Sequence, residues 1–207
     1  MYYLFFGIQG SGKGTQTRLL EQELGYKVFE TGAALRQIAA EDSELGRKVK
    51  SIIEAGNLVP TEIVMEIVAD FLDKNSNSEN IIFDGIPRSK DQQEQLHAIF
   101  AAKNQPVKAI LISLSREESL ERLTTRRLCS QCQTVYPAFY QNENCEKCNG
   151  QLVKRSDDNE ESIRRRIETF FEQTEPILKG YEDNGQLIKI NGAQAIDAVY
   201  ADIKKAL

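Results

Sequence analysis

The sequence predicts an α/β fold built around a parallel sheet. Five short segments are almost continuously apolar, which is typical of strands buried on both faces. Segments with the helical spacing of apolar residues separate these runs. Parallel strands need long connections, usually helices, so this alternation favours a parallel sheet. The predicted strands are residues 2–6, 27–29, 81–83, 107–114 and 187–190.

Local signals mark several ends of the predicted helices. Gly25 suits the end of the first helix, and Pro60, close to Thr61, suits the start of another. Ser115 and Glu118 have the spacing of a capping box. The predicted helices are residues 13–24, several between 33 and 73, 90–102, 116–127, 160–183 and 194–206.

Two stretches interrupt the alternation. Residues 31–59 are helical throughout although they lie between two predicted strands. Residues 128–156 are rich in Cys, Asn and Gln and show no clear period. We expect both to be excursions from one α/β core.

Composition excludes several classes of protein. The 207 residues are 41% hydrophobic and 28% charged, which suits one globular domain with inserted parts. The net charge of −5 argues against broad nucleic-acid binding. The apolar run at residues 2–6 lacks a basic start and is too short for a signal or a membrane span. We therefore expect a cytoplasmic protein with no nucleic-acid or membrane partner.

A glycine-rich loop, residues 7–15 (GIQGSGKGT), follows the first predicted strand and opens the first predicted helix. Glycines let backbone N–H groups turn toward an anion, and the helix N-terminus adds partial positive charge. Lys13 adds a full charge for β- and γ-phosphates. Gly14 stands where Ser or Thr is usual, and the hydroxyl follows at Thr15. The alternative is an ordinary glycine-rich turn, which the flanking strand and helix disfavour.

The run Asp84-Gly-Ile-Pro-Arg88 directly follows the predicted strand at 81–83. Ligands of open α/β sheets bind beyond the carboxyl ends of the strands, so we expect Asp84 near Lys13. A carboxylate there can hold Mg²⁺ through water, and Arg88 can contact a phosphate with two N–H groups. The alternative is a turn with a capping Asp and a surface Arg.

Arginines are spread over several separate segments of the chain. Phosphoryl transfer distributes negative charge over oxygen atoms, and converging cations stabilise it. For any single arginine an exposed helix face is the usual alternative. We expect Arg166 to face the cleft, and Arg164 and Arg165 to be mostly exposed, with a Glu161–Arg165 pair. The arginines are Arg36, Arg122, Arg126, Arg127, Arg155, Arg164, Arg165 and Arg166.

The four cysteines form two pairs, Cys129-x-x-Cys132 and Cys145-x-x-Cys148. Two such pairs predict a zinc site of four thiolates. The segment has too few apolar residues for its own core, and structural zinc supplies roughly 10–16 kcal/mol in small peptides. Disulfides or free thiols are the alternatives. A catalytic zinc is disfavoured because four thiolates leave no open position.

His97 is the only histidine, and we expect it on a helix surface. The chain therefore offers no Ser-His-Asp or Cys-His arrangement. This favours direct group transfer over a covalent enzyme intermediate.

With these motifs in this order, the chain resembles the adenylate kinases, nucleoside monophosphate kinases, in their long-lid, zinc-binding form. The resemblance covers essentially all 207 residues, and the displaced Thr15 is itself a trait of that family. Besides the glycine loop it rests on Thr31-Gly32 with Leu35-Arg36, Gly56-Asn-Leu-Val59, Asp84-Gly-Ile-Pro-Arg88 with Gln92, Arg122 with Arg126-Arg127, Arg155-Ser-Asp157-Asp158 and Arg164-Arg-Arg166.

The resemblance implies a P-loop NTPase-like core, a five-stranded parallel sheet flanked by helices, over residues 1–29, 60–122 and 159–207. A helical NMP-binding insertion would span residues 30–59, and a small zinc-binding lid residues 123–158. The implied reaction is ATP + AMP = 2 ADP, catalysed by a cytoplasmic monomer with Mg²⁺ and structural zinc. Closure of the lid would exclude water.

The resemblance also implies a role for individual residues. The transferring phosphoryl group would be surrounded by Lys13, Arg88, Arg126, Arg155 and Arg166. ATP would contact Gly10, Ser11, Gly12, Lys13, Gly14, Thr15, Arg122 (against the adenine), Arg126, Val135, Tyr136 and Gln194. AMP would contact Thr31, Gly32, Arg36, Asn57, Leu58, Val59, Gly85, Arg88, Gln92, Arg155 and Arg166. Asp84 would hold Mg²⁺ through water, and Asp157 and Asp158 would hold the lid arginines.

Three residues depart from the usual pattern of that family. Gln9 replaces Pro in the loop, Ile86 replaces Phe, and Ala33 replaces Asp. An acidic residue at a helix N-terminus is favourable by about 0.3–1 kcal/mol, so Ala33 loses that contribution. We expect weaker closure or altered AMP affinity with the reaction retained.

Two alternative functions remain at this stage. A UMP/CMP kinase is the nearest, although the long cysteine-bearing lid, Thr31 and Gln92 favour AMP. From a different class, the chain could be a non-catalytic zinc-ribbon protein that binds nucleotides or nucleic acid. The negative charge and the full arginine set disfavour it.

Overall fold

The computed structural model describes residues 1–207, and its strands form two sheets. Five parallel strands make the central sheet in the order β2-β3-β1-β4-β8, which confirms the predicted parallel α/β fold. The other three make a small antiparallel sheet. The strands are β1 (Tyr2–Phe6), β2 (Lys27–Glu30), β3 (Ile81–Asp84), β4 (Val107–Ser113), β5 (Arg127–Cys129), β6 (Val135–Tyr136), β7 (Leu152–Val153) and β8 (Leu187–Asn191).

Nine α-helices complete the fold, and a π-helical turn, Phe170–Thr174, joins two of them. None has the length and apolar character needed to span a bilayer. The helices are α1 (Lys13–Leu24), α2 (Thr31–Ala39), α3 (Glu44–Glu54), α4 (Thr61–Lys74), α5 (Lys90–Ala102), α6 (Arg116–Thr125), α7 (Glu160–Thr169), α8 (Glu175–Asp183) and α9 (Ile196–Ala206).

The predicted helix ends follow the local signals. Gly25 ends α1 with φ 68°, and its N–H donates to the Glu21 carbonyl. Pro60 directly precedes α4, and Ser115 and Glu118 form both hydrogen bonds of the capping box of α6. Helix α6 ends two residues before the predicted 127, because Arg126 is extended and leads into β5.

The predicted helix over residues 160–183 is divided by the π-turn. Helices α7 and α8 flank it without a break in the chain's helical course. Pro176 lacks a backbone N–H and lies in the first turn of α8, directly after the π-turn. The predicted helix at 194–206 begins only at Ile196, because Ala195 is extended.

The central sheet is buried on both faces, which explains the continuous apolar runs. From β1, Leu4 points into one core with α4 and α5, whereas Phe5 points into the other with Leu20 of α1 and Ile203 of α9. Leu4 and Phe5 are both fully buried. The core thus fixes the carboxyl ends of the strands along one edge of the sheet.

The cysteine-rich segment folds as the small sheet, in the order β6-β5-β7. Its core is a separate cluster of Cys129, Tyr136, Cys145 and Leu152. Strands of two or three residues are too short to show a period, so the sequence did not reveal them. The other excursion consists of α2 and α3, which pack against each other.

Candidate active site

The glycine-rich loop connects β1 to α1, and its backbone carbonyls accept hydrogen bonds from Lys13. The Lys13 ammonium donates to the carbonyls of Gly7 and Ile8, at 2.6 and 3.3 Å. Gly12 has φ 94°, a left-handed conformation that favours glycine. At Gly7 an added Cβ would lie 2.5 Å from the Ile112 carbonyl oxygen. The loop is therefore preformed, with α1 starting directly at its end.

A cavity of about 1020 Å³ lies beyond the carboxyl ends of the strands, between the loop, α2 and the small sheet. Every residue that the resemblance assigned to ATP or AMP lines this cavity, as does Asp84. These residues come from separate parts of the chain, so the fold brings the predicted set together. This volume suits ligands of several hundred Å³, such as nucleotides.

Asp84 ends β3 beside the loop and is almost fully buried. Burial raises the pKa of its carboxyl to about 6, although the Lys13 charge opposes the shift. Burial likewise lowers the pKa of Lys13 to about 8, with Asp84 opposing. An added Cβ at Gly14 would lie 3.7 Å from Asp84 Oδ2, so position 14 leaves space beside the carboxylate. A carboxylate facing the same cavity as the Thr15 hydroxyl suits the oxygen preference of Mg²⁺.

Two aspartates align three arginines where the small sheet joins the core. Arg126 donates to both oxygens of Asp158, from Nε at 2.5 Å and NH2 at 2.7 Å. Arg166 donates to Asp158 Oδ1 at 2.7 Å. Arg155 forms a bidentate pair with Asp157, with Nε–Oδ1 at 2.8 Å. The predicted partners of Asp157 and Asp158 are thus in contact with them.

The cluster has more positive charge than its carboxylates neutralise. Burial opposes ionisation of Asp157, but the hydrogen bonds from Arg155 and the nearby arginines outweigh it and lower its pKa to about 2. Burial and the Arg155 charge lower the pKa of Arg36 to about 10. Burial also lowers the pKa of Arg88 and of Arg126. A polyanion entering this space would relieve the repulsion among the guanidinium groups.

A second set of contacts orders the cavity wall at β3 and α5. Thr31 Oγ1 donates to the Asp84 carbonyl at 3.0 Å, and Arg88 Nε donates to the Gly85 carbonyl at 2.8 Å. Gln92 is buried, and its Oε1 accepts the Arg88 backbone N–H at 2.8 Å. Thr174 Oγ1 donates to the Arg88 carbonyl at 2.9 Å. The Gln92 amide N–H groups stay available to a ligand.

Arg122 ties the loop to the turn after β8. Its NH1 and NH2 groups donate to the carbonyls of Gly10 and Gly192, at 3.4 and 3.1 Å. In that turn the Gln194 amide donates to the Asn191 carbonyl and to Asp202. Both predicted residues therefore line the cavity with their polar groups already engaged.

The expected Glu161–Arg165 pair does not form. Arg164 pairs instead with Glu160, at 2.8 Å, and both side chains are exposed. Arg165 Nε donates to Asn57 Oδ1 at 3.3 Å, because α7 lies beside the end of the 31–59 excursion. Arg166 is buried, as expected. His97 is exposed and lies outside the cavity, with Nε2 2.7 Å from the Tyr181 hydroxyl.

The four cysteine sulfurs of the small sheet form one cluster, within 4.8 Å of one another. No disulfide joins them. The Gln131 and Lys147 N–H groups point at the Cys129 and Cys145 sulfurs, at 3.4 Å each, as in two matching turns. Four close thiols suit a tetrahedral ion such as zinc, with Zn–S bonds of about 2.3 Å.

Comparison with known proteins identifies the family. The model of the adenylate kinase family matches residues 5–186. The chain is 37% identical to the adenylate kinase of Bacillus licheniformis over 212 residues, which covers all of this chain and 98% of that protein. It is 34% identical to the adenylate kinase of Archaeoglobus fulgidus, with the same coverage.

The chain belongs to the adenylate kinase family. A third relative, the adenylate kinase of Nitrosococcus oceani, is 37% identical over 213 residues and again spans the whole chain. The resemblance inferred from the motifs is confirmed, and with it the expectation of a phosphotransferase. The alternatives of a UMP/CMP kinase and a non-catalytic zinc ribbon are not favoured by these relatives.

Two of the residues that depart from the usual pattern of the adenylate kinase family, Gln9 and Ile86, have buried side-chain atoms. The Gln9 carbonyl accepts from Ser119 at 2.6 Å, while its side-chain oxygen is buried without a hydrogen-bond partner. Ile86 is fully buried in the main core. The third departure, Ala33, is exposed in the first turn of α2.

Among the lining residues that sequence reasoning missed, three have side chains suited to contact a ligand. Glu30 ends β2 in register with Asp84, so the rule that identified Asp84 also applies to it. Arg18 lies on α1, one turn after Gly14, where an exposed face was the default expectation. Phe139 of the small sheet segment is 81% exposed, a position that no periodicity marks.

Proposed function

We propose that this enzyme catalyses ATP + AMP = 2 ADP by direct phosphoryl transfer, with Mg²⁺ bound alongside ATP. The observation that carries the proposal is the single cavity that the glycine loop, Asp84 and the arginine cluster all line. One polyphosphate and one monophosphate entering it from opposite sides would meet among those cations. Phosphoryl transfer depends mainly on such positioning and charge stabilisation.

We assign ATP to the side of the glycine loop. Backbone N–H groups of residues 10–15 and the start of α1 would bind its phosphates, and Lys13 would turn from the Gly7 carbonyl to the β- and γ-phosphates. Arg122, held at the loop, would lie against the adenine. Val135, Tyr136 and Gln194, which also line the cavity, would contact ATP as well.

We assign AMP to the side of α2 and α5. Arg36 and Arg88 would bind its phosphate, and the free amide N–H groups of Gln92 would bind its base. Thr31, Gly32, Gly85 and residues 57–59, which also line the cavity, would complete the AMP site. A buried amide that a base must satisfy discriminates strongly against analogues that cannot.

In the transfer step, four cationic side chains, with Lys13, would stabilise charge on the moving phosphoryl group. Arg126, Arg155 and Arg166 are preorganised by Asp157 and Asp158, so little reorganisation is needed at the moment of reaction. Arg88 would complete the set from the AMP side. Asp84 would hold Mg²⁺ through water, and the bound ion would supply positive charge that offsets the charge of the phosphates.

We further propose that residues 30–59 and 123–158 close over the core formed by residues 1–29, 60–122 and 159–207. Closure would exclude water, which otherwise competes with AMP for the phosphoryl group. Because one chain supplies all lining residues, we infer an active monomer. The four free cysteines suit a reducing compartment, the cytoplasm.

The four-cysteine cluster would hold a structural zinc ion through Cys129, Cys132, Cys145 and Cys148. The small core beside it has only four buried members, so it needs an added source of stability. The thiolates fill a tetrahedral shell, so the ion would take no part in the chemistry.

The direct test is ADP formation by the purified protein with ATP, AMP and Mg²⁺. A Lys13→Met variant should lose most of the rate, whereas Lys74→Met, an exposed lysine paired with Asp70, should keep it. A panel of AMP, GMP, CMP and UMP should show preference for AMP. Absence of ADP from the unmutated protein would refute the proposal, and preference for CMP or UMP would support the pyrimidine alternative.

A further inference from the structure

Arg18, which lines the cavity, joins the lid to the core. It projects from α1, and its NH1 donates to the Gln133 carbonyl at 2.9 Å. Residues 127–154 hydrogen-bond otherwise only among themselves, so this is their one hydrogen bond to the rest of the chain. Residues 127–154 of the lid are thus fastened to the rest of the chain by a single hydrogen bond.

The acceptor of this hydrogen bond is held in a fixed direction. Gln133 follows the first cysteine pair and has φ 59°, and its N–H donates to the Cys129 carbonyl at 3.1 Å. Its side-chain amide donates to the Ser130 carbonyl at 3.3 Å. The turn therefore aims a backbone carbonyl at α1. Since the acceptor is backbone, most substitutions of Gln133 itself leave it in place.

The donor is held from the other side by Glu30. Arg18 NH2 lies 3.5 Å from Glu30 Oε2, and Arg36 NH2 lies 3.2 Å from Glu30 Oε1. One carboxylate at the end of β2 thus links α1 with α2 of the other excursion. These side chains are between 26% and 36% exposed, so water screens their charges only in part.

We propose that Arg18 is a latch that holds the lid closed on the core, and that Glu30 is the positioning residue that orients it. Arg18 lines the cavity but is not part of the arginine cluster aligned by Asp157 and Asp158. Its effect falls on the equilibrium between closed and open lid. Because Glu30 also holds Arg36, it couples the lid to the AMP-side excursion.

The latch makes a specific kinetic prediction, which rests on the proposed function. Without it, ATP must supply more of the free energy of closing the lid, so the KM for ATP rises. We expect a rise of roughly three- to tenfold, the size of one hydrogen bond to a charged group that is partly exposed. The kcat should be unchanged or higher, because opening of a lid often limits product release. A merely structural loss would instead lower kcat with stability.

The experiment compares Arg18→Met with two controls, Arg164→Met and Gln133→Asn. Arg164 is exposed and pairs only with Glu160, and Asn at 133 keeps the carbonyl and tolerates the left-handed backbone. Steady-state kinetics with varied ATP gives KM and kcat. Small-angle X-ray scattering of the nucleotide-free protein gives the radius of gyration, and thermal unfolding checks that each variant folds.

The expected result is a larger radius of gyration and a raised KM for ATP in Arg18→Met alone. Glu30→Gln should raise the radius of gyration and the KM for ATP by less than Arg18→Met does. It should also change the KM for AMP, because Glu30 pairs with Arg36. A wild-type radius together with a wild-type KM for ATP in Arg18→Met would overturn the latch. If the unmutated protein forms no ADP, the proposed function fails, while the scattering comparison still tests the latch.

Discussion

Arg126 and Asp158 are joined by two parallel hydrogen bonds, from Nε at 2.5 Å and from NH2 at 2.7 Å. The Asp158 side chain is only 2% exposed, and it also accepts from Arg166. Arg126 precedes β5 and Asp158 precedes α7, so the pair spans the two connections between the small sheet and the core. One carboxylate therefore sets the direction of two arginines proposed to act in the transfer.

Asp158→Asn should lower kcat by more than tenfold and change both KM values less. The neutral amide of Asn cannot bind both arginines as the charged carboxylate does. Arg126 and Arg166 therefore lose their alignment at the place where negative charge develops in the transition state. The free energy of unfolding should fall by about 2 kcal/mol, the range for hydrogen bonds to charged groups. Steady-state kinetics and denaturant unfolding measure the two effects. Asp70→Asn, an exposed acid paired with Lys74, should change neither.

Cys145→Ser should release the metal and loosen the small sheet. Cys145 is buried in the four-residue core of that sheet, and Tyr136 OH lies 3.1 Å from its sulfur. Mass spectrometry under native conditions should find one zinc ion per wild-type chain and far less in the variant. The KM for ATP should rise, because the lid residues lining the cavity lose their support. Asn142→Ala, an exposed change in the same segment, should retain zinc; equal metal content in both variants would contradict the site.

Asp84→Asn should become more stable relative to wild type as pH rises from about 4 to 6. Burial raises the pKa of Asp84 from 3.8 to about 6, so the native state holds its proton when the unfolded state has lost it. The contribution of the protonated Asp84 carboxyl to wild-type stability is complete below pH 3.8 and is lost by about pH 6. The free energy of unfolding should fall by about 3 kcal/mol over this range. Urea unfolding of nucleotide-free, metal-free protein at several pH values measures it.

Asp70→Asn is the matched control for that series, since Asp70 is exposed and pairs with Lys74 at 2.7 Å. Its stability difference from wild type should stay nearly constant between pH 4 and 6. A flat difference for Asp84→Asn as well would show that burial does not raise the pKa of this carboxyl.

Ala33→Asp should stabilise the protein by about 0.3–1 kcal/mol and change the KM for AMP. Helix α2 has no acidic residue in its first turn, and Ala33 is exposed there. Glu30, just before the helix, already supplies one carboxylate to Arg36, so the gain should be at the low end. Ala40→Asp places the same charge at the opposite helix end and should destabilise. An unchanged KM for AMP in Ala33→Asp would show that this position does not affect AMP binding.

The parts of the fold that depend on local signals were predictable. Helix α1 has the predicted bounds, because a glycine loop precedes it and Gly25 ends it. The small sheet was not, because strands such as β6, with two residues, carry no period. The spacing of the cysteines predicted a zinc site in this segment but none of its strands. The π-turn left no signal that apolar spacing could detect.

The site shows the same division. Asp84 was predictable since it follows a clear strand, and Glu30 could have been found by the same argument. The partner of Arg165 was predicted wrongly because the rule considers one helix, whereas Asn57 reaches it from the excursion. The role of Arg18 was not predicted for a related reason, because its partners, Gln133 and Glu30, are distant in sequence.

The π-turn Phe170–Thr174 sets the rotational phase of the long helical segment that borders the cavity. In a regular α-helix, residues eight apart such as Arg166 and Thr174 would be rotated by about 80° around the axis. The wider turn offsets this rotation, so Arg166 and Thr174 both line the cavity, and Thr174 reaches the Arg88 carbonyl. Removing one residue from this turn would restore a regular α-helix. Arg166 and Thr174 would then point in different directions around the helix axis. The widened turn thus works as a spacer that lets a single helical segment present both Arg166 and Thr174 to the cavity.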